Sequence, residues 1–211
     1  MTHNKSIPIK DWVTRQFSNA GSKVFFELGA HKGADTQWMA SLPGVTIHAF
    51  EPDPRNDISH LPDNVIKNKK AISDLNGEVQ FTLSEKYGND TWTYSSSIFK
   101  PKNHFIQYPS VKFGGTVNVE SITLDTYCAN NDVKYIDFIW SDIQGAEGNM
   151  VRGATEILKR TKYLYTEFSN REMYEGQLPL AKIMEMLPNW KILYLYEDPG
   201  SDDNVLLERI F

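Results

Sequence analysis

The sequence predicts one α/β domain with a mostly parallel seven-stranded sheet, an antiparallel last strand and helices on both faces. Two apolar runs, residues 24–30 and 45–50, are separated by a glycine-containing segment and a helical stretch. This order of strand, loop, helix and strand is typical of a parallel sheet. The last two strands, 192–196 and 205–210, are joined by a segment too short for a crossover helix, so they must be antiparallel. We therefore expect one reversed strand at the edge of the sheet.

The composition is that of an ordinary globular domain. The 211 residues are 40% hydrophobic and 23% charged, which excludes collagen, coiled coil and extensive disorder. The net charge of −5 argues against a surface that binds nucleic acid throughout. The single cysteine, Cys128, excludes an intramolecular disulfide, and no apolar run has the length of a signal peptide or a membrane span. We expect a cytoplasmic protein with no nucleic-acid partner and no membrane span, and its oligomeric state stays open.

The first half of the chain supplies the opening α/β unit. Apolar residues at helical spacing predict a short amphipathic helix over 9–17. A second helix is expected over 36–42, because Pro43-Gly44 ends the apolar pattern there. A third strand is expected over 65–72.

The pattern changes after residue 72. Asn76-Gly77 is a hairpin signal, and residues 78–83 alternate between polar and apolar side chains. We therefore expect an antiparallel excursion from the sheet. Residues from about 84 to 118 have poor periodicity, which predicts a loop-rich insertion within a single domain spanning residues 1–211.

Alternating strands and helices are again predicted in the second half of the chain. A strand over 135–140 is followed by a helix over 146–159, whose apolar stripe is formed by Met150, Val151, Ala154, Ile157 and Leu158. A further strand over 163–168 and a helix over 180–187 precede the closing pair of strands.

The segment after the first strand carries a carboxylate followed by two glycines. It is Glu27-Leu28-Gly29-Ala30-His31-Lys32-Gly33, with His31 where a dinucleotide-binding motif has its second glycine. An acidic residue beside a flexible backbone suits a cationic ligand without phosphate groups, and a plain tight turn is the alternative. Glu51 ends the second strand, where a carboxylate can accept hydrogen bonds from both hydroxyls of a ribose.

Two carboxylates end the strands of the second half. Asp142 follows the strand at 135–140, and Glu167 lies near the end of the next strand. Such a pair could bind a divalent cation, act as a general base, or do both. The alternatives are that Glu167 only caps the sheet and that His31 is the base.

Five stretches, in this order, resemble the FkbM family of S-adenosylmethionine-dependent methyltransferases. They are FFELGAHKGADT, HAFEPDP, KKAISDLNGEVQF, SITLDTY and IDFIWSDIQGAEGNMVRGATEIL, and they cover most of residues 24–168. The resemblance implies the Rossmann-like class I methyltransferase fold. It also implies that Glu27, Gly29, Ala30 and Gly33 line the methionine end of the cofactor, that Glu51 binds its ribose, that Ala71 and Ile72 flank its adenine, and that Asp142 is the family's carboxylate at the end of the fourth strand.

The chain departs from this family at two residues before Asp142. Trp140-Ser141 stand where the family usually has Lys-Ile. Trp140 points to the same face of the sheet as Asp142, which indicates that the acceptor pocket differs in shape from that of the family. The alternative is that the indole ring only fills the hydrophobic core. The N/D-P-P-Y/F/W motif of amino-methylating nucleic-acid enzymes is absent at this strand end. Oxygen is therefore the predicted methylated atom.

The inserted segment is basic and rich in aromatic residues. Residues 86–119 carry four lysines against one aspartate. Aromatic rings beside cations suit a sugar ring attached to phosphate, and they would also suit single-stranded nucleic acid. The alternative is that these aromatics only dock onto the sheet. The predicted acceptor-binding residues are Trp140, Ser96, Lys102, His104 and Tyr108.

These features together predict S-adenosylmethionine-dependent methyl transfer to a hydroxyl, favouring that of a glycan or a nucleotide-linked saccharide. The predicted catalytic residues are Asp142, Glu167 and His31, and Asp142 with Glu167 could hold Mg²⁺ or Mn²⁺. The alternatives are a small-molecule, lipid or peptide acceptor, and a binding module without catalysis. A nicotinamide dehydrogenase is disfavoured because residue 31 is not glycine.

Overall fold

A seven-stranded sheet forms the centre of the computed structural model, which describes residues 7–19, 21–86, 88, 91–196 and 203–210. The order of its strands is β3-β2-β1-β7-β8-β10-β9. The strands are β1 (Lys23–Leu28), β2 (Val45–Phe50), β3 (Val65–Asn68), β7 (Ile136–Ser141), β8 (Thr161–Phe168), β9 (Trp190–Tyr196) and β10 (Asp203–Arg209). The first five strands in the spatial order are parallel, as the sequence predicts.

The reversed strand lies inside the sheet, so the prediction of a reversed edge strand is wrong. β10 is inserted between β8 and β9 and is antiparallel to both. Its Val205, Leu206 and Leu207 are completely buried and alternate between the two faces. A strand that is apolar on both faces needs neighbours and cover on both sides, and the partly exposed β9 takes the edge instead. The turn-rich segment predicted between the last two strands covers residues 198–204, of which 198–202 lie outside the described residues and Asp203 and Asn204 begin β10.

Helices cover both faces of the sheet. α1 (Ile9–Gln16) and α2 (Ala34–Ala40) pack on the face that carries Phe25 and Phe138. The opposite face, which carries Phe26 and Ile139, is covered by α4 (Leu124–Asn130), α5 (Glu147–Arg152) and α6 (Leu180–Met186). Among the described residues, no helix has the length and apolarity needed to cross a membrane.

The predicted third strand is two strands in two different sheets. β3 ends at Asn68, and β4 (Ala71–Ile72) pairs with Ser121 and Ile122 of β6 (Val111–Ile122). β6 also pairs antiparallel with β5 (Gly77–Lys86), which gives a small sheet in the order β4-β6-β5. The expected antiparallel excursion is therefore present, although β4 and β5 each pair with β6 and not with each other.

The loop-rich segment is shorter than predicted. Residues 84–86 and 111–118 belong to β5 and β6, because the hairpin ladder extends to the pair Lys86 and Val111. The segment between these strands contains the single-turn α3 (His104–Gln107).

The helix predicted over 146–159 is interrupted. α5 ends at Arg152, and a separate 3₁₀ turn covers Ile157–Arg160. A Cβ atom on Gly153 would lie 2.3 Å from the carbonyl oxygen of Ser73, so the chain passes too close to its neighbour for another side chain. The Asp125 carboxylate then accepts hydrogen bonds from the N–H groups of residues 156 and 157 and starts the 3₁₀ turn.

Candidate active site

The loop after β1 approaches the end of β7 at Gly29. Its φ is +85°, and a Cβ atom there would lie 1.9 Å from the carbonyl oxygen of Asp142. The N–H groups of Gly29 and Ala30 both donate to the carbonyl of Phe50 at 2.9 Å. Only glycine combines this backbone conformation with this contact. The loop thereby joins the carboxyl ends of β1, β2 and β7 at one edge of the sheet.

A cleft opens along this edge, between the main sheet and the inserted segment. The empty space in this cleft, part of which is open solvent, is about 630 Å³. Its apolar lining includes Phe50, Ala71, Ile72, Phe81, Ile98 and Ile143, and its polar lining includes His31, Glu51, Asn56, Thr93, Asp142 and Gln144. The cleft therefore has an apolar slot beside a polar wall.

Glu51 anchors a closed ring of hydrogen bonds in the polar wall. Its Oε2 accepts from the His31 N–H at 2.6 Å, and its Oε1 accepts from the Asp53 N–H and from Asn56 Nδ2. The Thr93 hydroxyl donates to Asn56 Oδ1 at 2.7 Å and lies 2.7 Å from His31 Nε2. Since the Thr93 hydrogen is given to Asn56, His31 Nε2 must be the donor in the last bond. The neutral His31 ring therefore carries its proton on Nε2.

Burial shifts the pKa values of both titratable groups in this ring. It raises the pKa of Glu51 to about 7, against the lowering effect of the hydrogen bonds that Glu51 accepts. It also lowers the pKa of His31, and the neighbouring Lys32 lowers that pKa further. Protein donors fill three of the roughly four acceptor positions of a carboxylate, so Glu51 keeps one for a ligand.

Glu27 is a buried acid that forms no ion pair with the described residues. It lies in β1 with 2% of its surface exposed, and its Oε2 has no hydrogen-bond partner in the described part of the chain. Burial raises the pKa of Glu27 to about 8, and the charges of Asp35, Glu51 and Asp142 add to this shift. Such a site favours a positively charged ligand, because a nearby cation would stabilise the ionised carboxylate.

Two residues of the predicted glycine loop do not line the cleft. Ala30 is buried in the core on the α1 and α2 face, and Gly33 precedes α2. A Cβ atom on Gly33 would lie 2.6 Å from a methyl carbon of Leu61. Their small side chains therefore serve packing, since the chain turns into α2 after His31. Neither residue is among those that line the cleft, and their contact with a cofactor remains a prediction.

The acid pair predicted at the strand ends is brought together by Gln144. The Gln144 Nε2 donates to Asp142 Oδ1 at 2.7 Å and to Glu167 Oε2 at 3.0 Å. Protein atoms next to the Asp142 carboxyl group displace water and raise its pKa, although hydrogen bonds from Gln144 and with Glu167 oppose the shift. Its carboxyl group is nevertheless reached from solvent through the cleft. Asp142 is therefore an accessible and strengthened base.

Gln144 is a site residue that the sequence does not reveal. Its backbone has φ +52°, which is uncommon for a residue with a side chain. Its Oε1 lies 2.9 Å from the Tyr174 hydroxyl, whose single hydrogen is shared with the Ser95 carbonyl, also at 2.9 Å, and the Gln144 carbonyl accepts from the Ser97 hydroxyl at 2.7 Å. These contacts tie the acid pair to the inserted segment. The only hint in the sequence is Gly145, which follows it and also has positive φ.

The donor set does not fit the predicted divalent cation. Within the described ranges, no group of three or more His, Cys, Asp or Glu side chains could hold a metal ion. The amide nitrogen of Gln144 donates to both Asp142 and Glu167, whereas a Mg²⁺ ion bound there would need oxygen ligands. The cation prediction is therefore not supported.

The comparison with known proteins decides the family. The model of the methyltransferase FkbM domain matches residues 27–196. The chain belongs to the FkbM methyltransferase family. It is 38% identical over 194 residues to the 2-O-methyltransferase NoeI of Sinorhizobium fredii (strain NBRC 101917 / NGR234), covering 88% of this chain and 79% of that protein. As a member of this family it is an S-adenosylmethionine-dependent methyltransferase.

Solved methyltransferase structures share its fold. A candidate O-methyltransferase from Klebsiella pneumoniae matches with a TM-score of 0.54 and 13% identity, covering 100% of this chain and 84% of that one. The METTL16 methyltransferase domain matches with a TM-score of 0.54 and 11% identity, covering 96% of this chain and 66% of that one. The class I fold of this FkbM methyltransferase is thus confirmed.

Three of the acceptor residues predicted in the insertion of this FkbM methyltransferase lie away from the cleft. Lys102 forms an ion pair with Glu172, and His104 is buried with its Nε2 3.0 Å from Ser95 Oγ. Burial lowers the pKa of His104 to about 4, so its ring is neutral. Tyr108 packs 5.0 Å from the His104 ring. These residues dock the insertion onto the segment that contains Glu172, so their predicted contact with an acceptor is corrected.

The other two predicted acceptor residues lie on different sides of Asp142. Ser96 lines the cleft, where its Oγ accepts from the Ser84 N–H and from Arg55. Trp140 lies outside the cleft lining and packs on the α1 and α2 face, with its ring 4.6 Å from that of Tyr165. The open side of Asp142 therefore borders an aromatic surface as well as the cleft.

Proposed function

We propose that this chain transfers a methyl group from S-adenosylmethionine to a hydroxyl of a saccharide. The observation that carries the proposal is Asp142, an accessible carboxylate with a raised pKa that lines the cleft. Methyl transfer follows from the family, and the NoeI relative, a 2-O-methyltransferase, favours oxygen as the methylated atom. The inferred site therefore pairs a methyl-donor cleft with a general base.

The residues of the cleft fit S-adenosylmethionine. Ala71 and Ile72 lie in the apolar slot and suit its adenine, and the acceptor position left on Glu51 suits a ribose hydroxyl. Glu27 does not itself line the cleft, but the charges of Glu51 and Asp142, which do line it, act on Glu27, and its buried Oε2 has no hydrogen-bond partner among the described residues. The ammonium and sulfonium charges of the cofactor suit this acidic surrounding. We assign His31 to this side, where its backbone and ring brace Glu51 and Thr93. When bound, the cofactor supplies a methyl group on a positively charged sulfur.

Asp142 acts as the general base. It takes the proton of the acceptor hydroxyl while that oxygen bonds to the methyl carbon and the carbon–sulfur bond breaks. The products are a methyl ether and S-adenosylhomocysteine. A raised pKa makes Asp142 a better proton acceptor than an ordinary aspartate, and Gln144 fixes its orientation. The mechanism needs no metal ion.

Replacement of Asp142 tests this assignment. In Asp142→Asn we expect kcat to fall by at least about 100-fold, the lower end of the contribution of a general base. The affinity for S-adenosylmethionine, measured by calorimetry, should stay within a few-fold because the cleft keeps its shape. Asp132→Asn is the matched control, since Asp132 is an exposed aspartate paired only with Lys134. A fully active Asp142→Asn enzyme would remove Asp142 from the mechanism.

A further inference from the structure

We infer that the acceptor binds as an uncharged sugar ring stacked on an aromatic wall formed by Trp38, Trp140, Tyr165 and Tyr196. This inference rests on the proposed function and names the surface that selects the acceptor. The wall lies beside Asp142, on the face of the sheet that carries α1 and α2. It lies apart from the basic insertion in which the sequence suggested acceptor contacts.

The register of the sheet places the wall next to the acid pair. Trp140 of β7 lies directly opposite Tyr165 of β8. Asp142 and Glu167 each follow two residues later, so their side chains project from the same face. Asn204 of β10 lies opposite Glu167 and continues this polar row. Trp140 and Tyr165 thus lie side by side in one row across the strands, whereas Glu167, Asn204 and Tyr196 lie in the next row, so Tyr196 flanks the polar groups.

The rings make a continuous surface that is only partly covered. The ring centroids lie 6.1 Å apart for Trp38 and Trp140, 4.6 Å for Trp140 and Tyr165, and 5.7 Å for Tyr165 and Tyr196. Within the described ranges, Trp38, Trp140 and Tyr196 keep part of their surface exposed. The exposure of Trp140 is unusual for a side chain of β7, because central strands of parallel sheets are normally covered on both faces.

The two rows match the two surfaces of a pyranose. A sugar ring has a face of C–H groups, which packs on aromatic rings, and a rim of hydroxyls. Carboxylates accept hydrogen bonds from hydroxyls, and an amide can both donate and accept them. Asp142, Glu167 and Asn204 supply these groups at the edge of the wall. A sugar held this way presents a hydroxyl to Asp142 at the boundary with the cleft.

The charges at this edge select an uncharged sugar. Asp142 and Glu167 would both repel a phosphate or carboxylate. Lys10 approaches the wall at 5.2 Å from the Trp38 ring, but it forms an ion pair with Asp35 at 2.6 Å. Lys102 of the insertion is paired with Glu172. Among the described residues, the sugar phosphate that the composition of the insertion suggested therefore finds no matching cation at the wall.

Binding is tested by saturation-transfer NMR with methyl pyranosides and the corresponding hexose phosphates as probes. Irradiation of the aromatic protons of the protein should transfer magnetisation to ring protons of at least one methyl pyranoside. Trp140→Leu should abolish that transfer, and the hexose phosphates should show none with either protein. The inference is overturned if no pyranoside receives magnetisation, or if the phosphates bind better than the uncharged sugars.

Kinetics separates the wall from a general effect on folding. Trp140→Leu should raise KM for the pyranoside acceptor about tenfold. An increase of this size is expected when stacking of a ligand on one aromatic ring is lost. Its affinity for S-adenosylmethionine should be unchanged, and Trp140→Phe should recover part of the loss. Trp12→Leu is the matched control, because Trp12 belongs to the same cluster but packs on Phe138 and Tyr163, away from Asp142. If Trp140→Leu does not fold, Tyr196→Leu on the edge strand β9 takes its place.

The outcomes distinguish the wall from the proposed function. Equal KM values for Trp140→Leu and Trp12→Leu, with methyl transfer to the sugar intact, would overturn the wall and leave the proposed function standing. Binding of a pyranoside at the wall without methyl transfer to any hydroxyl would retain the wall and overturn the proposed function.

Discussion

Gln144 shows how one side chain can set the chemistry of two others. Its amide donates to both Asp142 and Glu167, and the Tyr174 hydroxyl holds the other end of that amide. Two acids in such proximity compete for protons, and a donor between them favours their ionised forms. Gln144 is therefore a positioning residue that keeps the base deprotonated.

Replacing Gln144 should change the pH dependence of methyl transfer. In Gln144→Leu the pKa of Asp142 rises further, since the lowering hydrogen bond is lost. The base works only when deprotonated, so activity is lost as pH falls through its pKa, and a higher pKa moves that loss to higher pH. Gln144→Glu adds a third acid and should shift the profile further. A kcat/KM profile that superimposes on that of the unmodified enzyme would rule out this role.

Glu27 should couple cofactor binding to proton release. Its pKa of about 8 in the free protein means that it is mostly protonated at neutral pH. A cationic cofactor favours its ionised form, so affinity should rise with pH and level off above about pH 8. Asp35, Glu51 and Asp142 face the same site, and Glu51, with its own pKa of about 7, contributes a second and lower step.

Calorimetry in buffers of different ionisation enthalpy measures how many protons are released when the cofactor binds. Glu27→Gln should release about one proton fewer at neutral pH and should lose the step near pH 8. An unchanged number of released protons would show that Glu27 does not titrate on binding.

At the scale of elements, the break after α5 depends on Gly153. The chain passes so close to Ser73 that a Cβ atom would lie 2.3 Å from its carbonyl oxygen. Gly153→Ala should therefore lower the free energy of unfolding by about 1–3 kcal/mol, as overpacking does. Gly21→Ala is the control, because no atom lies within 4 Å of its added Cβ. Thermal melts of the two variants with equal midpoints would contradict this explanation of the break.

Local sequence patterns predict helices and strands better than they predict which of these elements lie next to each other in the fold. The bounds of β2 match those predicted from VTIHAF at 45–50, because four of its six residues are apolar and every residue except Thr46 is buried, as in a strand covered on both faces. The position of β10 inside the sheet could not be predicted, since periodicity does not state which strands pair. The break at Gly153 was hidden for a similar reason, because the close approach of Ser73 is a tertiary contact.

The site was predictable in outline and not in detail. Glu51, Asp142 and Glu167 each follow or end a strand, and the carboxyl ends of parallel strands must meet at one edge. The sequence therefore indicated where the cleft would lie. It could not show that Lys102 and His104 pack the insertion against the segment that contains Glu172, because composition does not state which way a segment folds. The role of Gln144 depends on a side-chain geometry that no pattern encodes.

At the scale of the whole molecule, the fold places two surfaces on either side of one carboxylate. The cleft with Glu51 and the apolar slot lies on one side of Asp142, and the aromatic wall lies on the other. The sheet order brings β1, β7 and β8 side by side, so the donor loop and the acid pair share one edge. This arrangement suits a reaction that joins two ligands across a single base.

Direct detection of the methylated product tests the central claim. The purified protein is incubated with S-adenosylmethionine and a panel of uncharged pyranosides, and the products are analysed by mass spectrometry. We expect at least one sugar to gain the mass of one methylene group, with an equal amount of S-adenosylhomocysteine formed and no product from Asp142→Asn. A folded protein that binds S-adenosylmethionine but methylates no sugar in the panel would contradict the claim.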